Sequence, residues 1–93
     1  MTVDLTIEDT KGTAHLGPVN DPQAHMEFSI AGPGLVIISH TEVGEELRGQ
    51  GVGRRLVDRV VDYARKNDIK ILPLCPYAKS VFDKDPTLKD VLK

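Results

Sequence analysis

The sequence predicts an α/β (α+β) domain with a mixed, mostly antiparallel sheet organised around a central βαβ unit. Three stretches predict it. Leu35 to Val43 is an apolar run of strand length, followed by a glycine-rich turn, Arg48-Gly-Gln-Gly-Val-Gly53. From Val52 the period changes: Val52, Leu56, Val57, Val60, Val61 and Ala64 recur at helical spacing and form one apolar stripe. A second apolar run, Ile69 to Leu74, closes the unit, and a helical crossover requires it to lie parallel to the first.

The remaining elements are read in chain order. Val3, Leu5 and Ile7 alternate with Asp4, Thr6 and Glu8, the period of a half-buried strand. Lys11-Gly12 reads as a turn, and Thr13 to Leu16 as a short return strand. Gly17 to His25 is a breaker-rich loop, after which Met26, Phe28 and Ile30 alternate again and Gly32-Pro33-Gly34 turns the chain. In the helix, Asp62 and Lys66 form an i,i+4 pair, Arg65 and Lys66 suit the negative end of the dipole, and Asn67 is a candidate left-handed cap. Pro73 fits an edge strand, or one that splays from its neighbour. Tyr77 to Lys84 reads as a short helix, Asp85-Pro86 as a break, and Thr87 to Lys93 as a last helical turn.

Composition narrows the function. At 93 residues, 40% of them hydrophobic, the expectation is one domain, 1–93, able to build a modest core. A net charge of −2 gives no overall field for nucleic acid or an anionic membrane, so neither is an expected partner and any anion site must be local. The single cysteine excludes an internal disulfide. With no signal-like N-terminus and no apolar run of spanning length, the expectation is a soluble, cytoplasmic protein, monomeric or a weak dimer. His15 and His25 read as surface loop residues without metal-site spacing, so no metal is expected, and Asp83 and Asp85 read as solvated charges.

The glycine turn carries the sharpest signal. Glycines 49, 51 and 53 let backbone amides converge on an anion at a helix start, with Arg48, Arg54 and Arg55 near enough in sequence to add charge. Walker A is excluded because no Lys-Ser or Lys-Thr follows, and the dinucleotide fingerprint would need a glycine at Arg54. The pattern met is R-x-x-G-x-G, by Arg48, Gly51 and Gly53. Here the sequence resembles the GNAT acetyltransferase superfamily. His40-Thr41-Glu42-Val43, Glu46-Leu47-Arg48-Gly49, Tyr63-Ala64-Arg65 and Cys75-Pro76-Tyr77 resemble its short single-domain branch. Gly44 stands where that branch usually has proline, which is expected to loosen the turn, and Val81 where it often has an aromatic residue, so any proton-donor role there is lost.

The resemblance implies an acetyl-CoA-dependent N-acetyltransferase. Acetyl-CoA would set its pyrophosphate on Arg48, Gly49, Gln50, Gly51, Val52 and Gly53, with Arg54 adjacent, and its pantetheine along β-backbone near Glu42 and Val43. The thioester would arrive near His40, Glu42 and Cys75. Glu42 is a candidate base, His40 a second one or a structural histidine, and Tyr77 a candidate proton donor. Cys75 reads as a proton donor to the departing thiolate, an acyl nucleophile, a redox partner of CoA or a core residue, and in the family direct transfer disfavours the nucleophile. Because Gly17 to His25 replaces the helices that usually wall the acceptor side, the acceptor is expected to be an amine on a protein lysine or N-terminus, or a loosely chosen small amine. The alternative is a non-catalytic CoA-binding or thiol-redox sensor module using Cys75.

Overall fold

A computed structural model describes residues 2–93. Five strands, β1 (Asp4–Glu8), β2 (Lys11–Leu16), β3 (Ala24–Gly32), β4 (Leu35–Val43) and β5 (Lys70–Pro73), form one sheet in sequence order. The first four pair antiparallel, and β5 joins β4 in parallel after the helix α1 (Val52–Lys66). α2 (Pro76–Lys84) and a 3-10 segment, Pro86–Val91, complete the described chain. The expected mixed sheet with its βαβ unit is therefore present, and Pro73 sits at the end of an edge strand where no ladder amide is required of it.

The core lies on one side of the sheet. The stripe of α1 is buried against Ala14, Met26, Phe28, Val36 and Ile38, with Leu56, Val57 and Val60 fully enclosed. Truncating Leu56 to alanine is the kind of change that costs about 2–5 kcal/mol, a large share of the stability of a domain this size. Arg65 fixes the C-terminal segment to α1 through Asp90 at 2.9 Å and the Thr87 carbonyl at 2.9 Å. The exposed Asp62–Lys66 pair forms at 3.2 Å, a geometry worth little by itself.

Several local expectations change. The first reversal is at Asp9 and Thr10, with Asp9 in the left-handed region at φ 54°, not at Lys11-Gly12. Gly12 lies inside β2, where an added Cβ would stand 2.2 Å from Phe28 Cζ, so this glycine makes room for a ring instead of a turn. The left-handed residue after α1 is Asp68, at φ 55°, while Asn67 stays at φ −113° and caps by donating from its side chain to the Tyr63 carbonyl. Neither His15 nor His25 is in a loop. His15 is a buried residue of β2; its Nδ1 lies 2.7 Å from the Gly17 carbonyl and its Nε2 2.8 Å from the Thr6 hydroxyl. A carbonyl only accepts, so Nδ1 carries the proton.

Two irregularities position the site. In β4, pairing with β3 runs Phe28↔Ile38 and then Glu27↔His40, so Ser39 is an extra residue. This bulge reverses the side-chain parity beyond it: Val36 and Ile38 face the core, whereas Thr41 opposite Met26 takes the core side and His40 and Glu42 take the other. On the second edge, pairing with β5 stops at Ile38↔Pro73, and the amides of Leu74 and Cys75 both donate to the Ile38 carbonyl at 3.0 Å. β4 continues to Val43 while the chain leaves into α2, which opens a gap between them.

Candidate functional site: a glycine turn and a strand gap

The turn is explained by its residue types. After a short 3-10 segment, Glu45–Leu47, the chain passes Gly49 at φ +82° and Gly51 at φ +74°. A residue with a Cβ is disfavoured by about 1–2 kcal/mol in that region, so both positions require glycine for conformation. Nothing lies within 4 Å of where a Cβ would stand at either glycine, leaving free space beside the start of α1. Gly51 is the helix N-cap and offers no side chain to the first amides, so the positive end of the dipole is open to an anion.

Gly53 is required for a different reason. Its φ is ordinary, but a Cβ there would meet the Tyr77 ring at 2.8 Å. The absent side chain lets the start of α2 close against the start of α1.

A cleft of about 340 Å³ runs along this turn into the gap, lined by Thr41, Val43, Arg48, Gly49, Gly51 and Tyr77. Leu47, Val52 and Gly53 complete that wall. Of the other residues expected around a phosphate, Gln50 folds back and donates to the Glu46 carbonyl at 3.0 Å. Arg54 is held by Asp58 at 2.8 Å and Asp85 at 2.7 Å, so its charge is already matched. Arg48 is the guanidinium that the cleft itself presents.

Asp85 is correspondingly no idle solvated charge. It accepts from the hydroxyl and amide of Thr87 as well as from Arg54, and these bonds, Thr87 first, lower its pKa to about 2. Gly44 does not loosen the chain either: its amide donates to the Gln23 carbonyl at 2.9 Å, a bond proline would forfeit.

The four candidate catalytic residues divide between two faces. Cys75 is buried behind the cleft, its thiol donating to the Thr41 hydroxyl at 3.2 Å. Tyr77 borders the cleft, and burial raises its phenol above the usual value despite Arg54 nearby, which keeps it protonated at neutral pH. Val81, one turn further along α2, is turned into the core. His40 and Glu42 are exposed on the opposite face of β4, and the His40 ring lies 5.7 Å from that of His25. Neither Thr41 as a lining residue nor the neighbours of His40 could be found by sequence spacing, since both depend on the bulge at Ser39.

A family model for the GCN5-related N-acetyl-transferases matches residues 13–91, from within β2 through β3, β4, the turn, α1, β5 and α2. The chain belongs to this family. In overall shape it is similar to the solution structure of a GCN5-like protein from Staphylococcus aureus, with a TM-score of 0.74 and 31% identity over 97% of this chain and 87% of that one. The crystal structure of Tetrahymena GCN5 shares the fold at a TM-score of 0.66 and 17% identity, covering 83% of this chain and 51% of the other. A ribosomal-protein-alanine N-acetyltransferase from Brucella melitensis shares it at 0.64 and 15%, covering 81% and 62%. By sequence the chain is 27% identical to Protein NATD1 of Gallus gallus over 80% of its length, and likewise to that of Homo sapiens. It spans 66% and 65% of those two relatives, just under two thirds of each. Among the described residues no helix is long and apolar enough to cross a membrane.

Proposed function

We propose that this family member transfers the acetyl group of acetyl-CoA directly to an amine. The observation that carries the reading is the alignment of the R-x-x-G-x-G turn with the gap beyond Ile38: open left-handed glycines at a helix start lead into a cleft that reaches the unpaired end of β4. Acetyl-CoA supplies the activated acyl group. Arg48 and the turn amides bind its diphosphate, and the free edge of β4 holds its pantetheine by backbone pairing.

The bulge gives the two substrates separate approaches. The cofactor lies on the helix side of β4, with Thr41 and Val43, and the amine comes from the other side, with Glu42 and His40. Glu42 takes a proton from the incoming ammonium, directly or through water, so that the neutral amine attacks the thioester carbonyl while a strand-end amide near Val43 stabilises the oxyanion. As the carbon–sulfur bond breaks, the thiolate leaves and takes a proton from the Tyr77 hydroxyl, the donor that borders the cleft, and the second proton shed by the new amide nitrogen returns through water to the Tyr77 oxygen. Cys75 shapes the inner wall; its hydrogen bond to Thr41 and its burial do not favour a sensor thiol or an acyl carrier. Glu42 and Glu45 border a hollow with His25 and Arg48 on the acceptor side, and their charge favours a cationic amine carried by a protein or a small molecule.

Two measurements test the reading. Acetyl-CoA at about 100 times its Kd should add about 2.7 kcal/mol of stability, and no shift at millimolar ligand overturns it. CoA release across a panel of amines should be detectable in wild type and in Cys75→Ala; tight CoA binding with no turnover on any amine overturns the transferase assignment in favour of a binding module.

A further inference from the structure

On the acceptor side of β4, the ladder brings together groups that sequence spacing keeps apart. His25 stands opposite Glu42 and Glu27 opposite His40, all on one face beyond the bulge. Without the extra residue at Ser39, His40 would fall opposite Met26 and enter the core. One ligand atom from each of His25, His40 and Glu42 lies within 4.8 Å of the other two. We infer that His25, His40 and Glu42 form a binding site for a divalent transition-metal ion, with Zn²⁺ as the probe.

The donor set is the first reason. Two imidazoles and a carboxylate match the borderline preference of zinc and its neighbours and are a poor match to magnesium or calcium. The charge is the second. Among the described residues neither Glu27 nor Glu42 forms an ion pair with a lysine or arginine, so with neutral imidazoles the cluster carries two carboxylates without a cationic partner in contact. A divalent cation balances them. Third, the histidine is steadied: Glu27 Oε2 lies 3.1 Å from His25 Nε2, the kind of carboxylate contact that orients metal-binding imidazoles. The side chain of His25 is 20% exposed, whereas His40 and Glu42 are open to solvent, so an ion has a path in and room for water as remaining ligands. His15, paired with His25 in the next strand, commits both ring nitrogens to Thr6 and Gly17 and is excluded from the set.

Zn²⁺ titration of the full chain, without acetyl-CoA, tests the site by calorimetry. One equivalent should bind with micromolar affinity and Mg²⁺ should show no heat at the same concentrations. His25→Ala and His40→Ala should each weaken Zn²⁺ at least ~10-fold, since even partners behind the ligands are worth that much. Imidazole nitrogen resonances followed by NMR locate the ion in the wild-type chain, so the test survives a variant that folds poorly: His25 and His40 should shift and His15 should not. Millimolar affinity, equal affinity in both variants, or shifts spread over all three histidines would overturn the site. Because Glu42 is the base in the proposed transfer, the reading also expects Zn²⁺ to suppress amine turnover while acetyl-CoA binding persists, a consequence that rests on that function. Localised Zn²⁺ binding by a protein that acetylates nothing would sink the transferase assignment and leave the metal site standing.

Discussion

The two sides of the β4 tip are built by opposite means. On the helix side the chemistry is carried mostly by backbone: left-handed glycines, the first amides of α1 and an unpaired strand edge. On the other side it is carried by side chains, His25, Glu27, His40 and Glu42, delivered from two strands in register. Backbone chemistry depends on what a residue lacks, so it tolerates few substitutions at the glycines and many elsewhere. Side-chain chemistry depends on what a residue has and on which face it points to.

The difference can be broken first at Glu42. Glu42→Gln keeps shape and should lower kcat by about 10²–10⁴-fold, the range for losing a general base, with acetyl-CoA affinity unchanged in a thermal-shift titration. Equal kcat would remove Glu42 from the chemistry. Next comes the pair of glycines. Gly51→Ala forces a Cβ into the left-handed region and should destabilise by about 1–2 kcal/mol by denaturant unfolding, as well as weakening acetyl-CoA. Gly53→Ala should cost about 1–3 kcal/mol for a different reason, since it must push Tyr77 aside, and near-ultraviolet tyrosine signals should report that movement.

Arginines give a smaller contrast. Arg48→Ala should weaken acetyl-CoA about tenfold, because in the proposed binding mode it removes a charge-assisted hydrogen bond to the diphosphate, and the loss should shrink at high salt. Arg54→Ala should leave that affinity unchanged and alter stability slightly, because its partners are Asp58 and Asp85. Asp85 yields the smallest effect, in pH. Its folded pKa, about 2, lies below the ordinary 3.8, so its contribution is fully present above pH ~4 and is lost as pH falls toward 2. Asp85→Asn should flatten that acid limb of the unfolding curve; an unchanged limb would mean that the Thr87 and Arg54 bonds do not hold the carboxylate in solution.

The helix-side half was legible because its signals are local. A glycine that must take positive φ, an apolar stripe at helical spacing and an arginine three residues before a glycine can be read without knowing any neighbour. The same locality misled at Gly12, where the glycine answers to Phe28, distant in sequence, and at Asp85, whose partner Arg54 comes from α1. His25 looked like a loop residue because pairing with β4, not local propensity, decides that it is in a strand.

By itself the sequence determined the order of elements, the parallel crossover and the glycine turn at the start of α1, all consequences of periodicity and of glycine's missing Cβ. Only the tertiary structure decided which side of β4 each residue serves. One extra residue at Ser39 inverts the side-chain alternation, and whether a ladder absorbs such a residue depends on packing across strands. Phe28 and Ile38 together fix the core register, so the strand from His40 onward has to present its side chains the other way round.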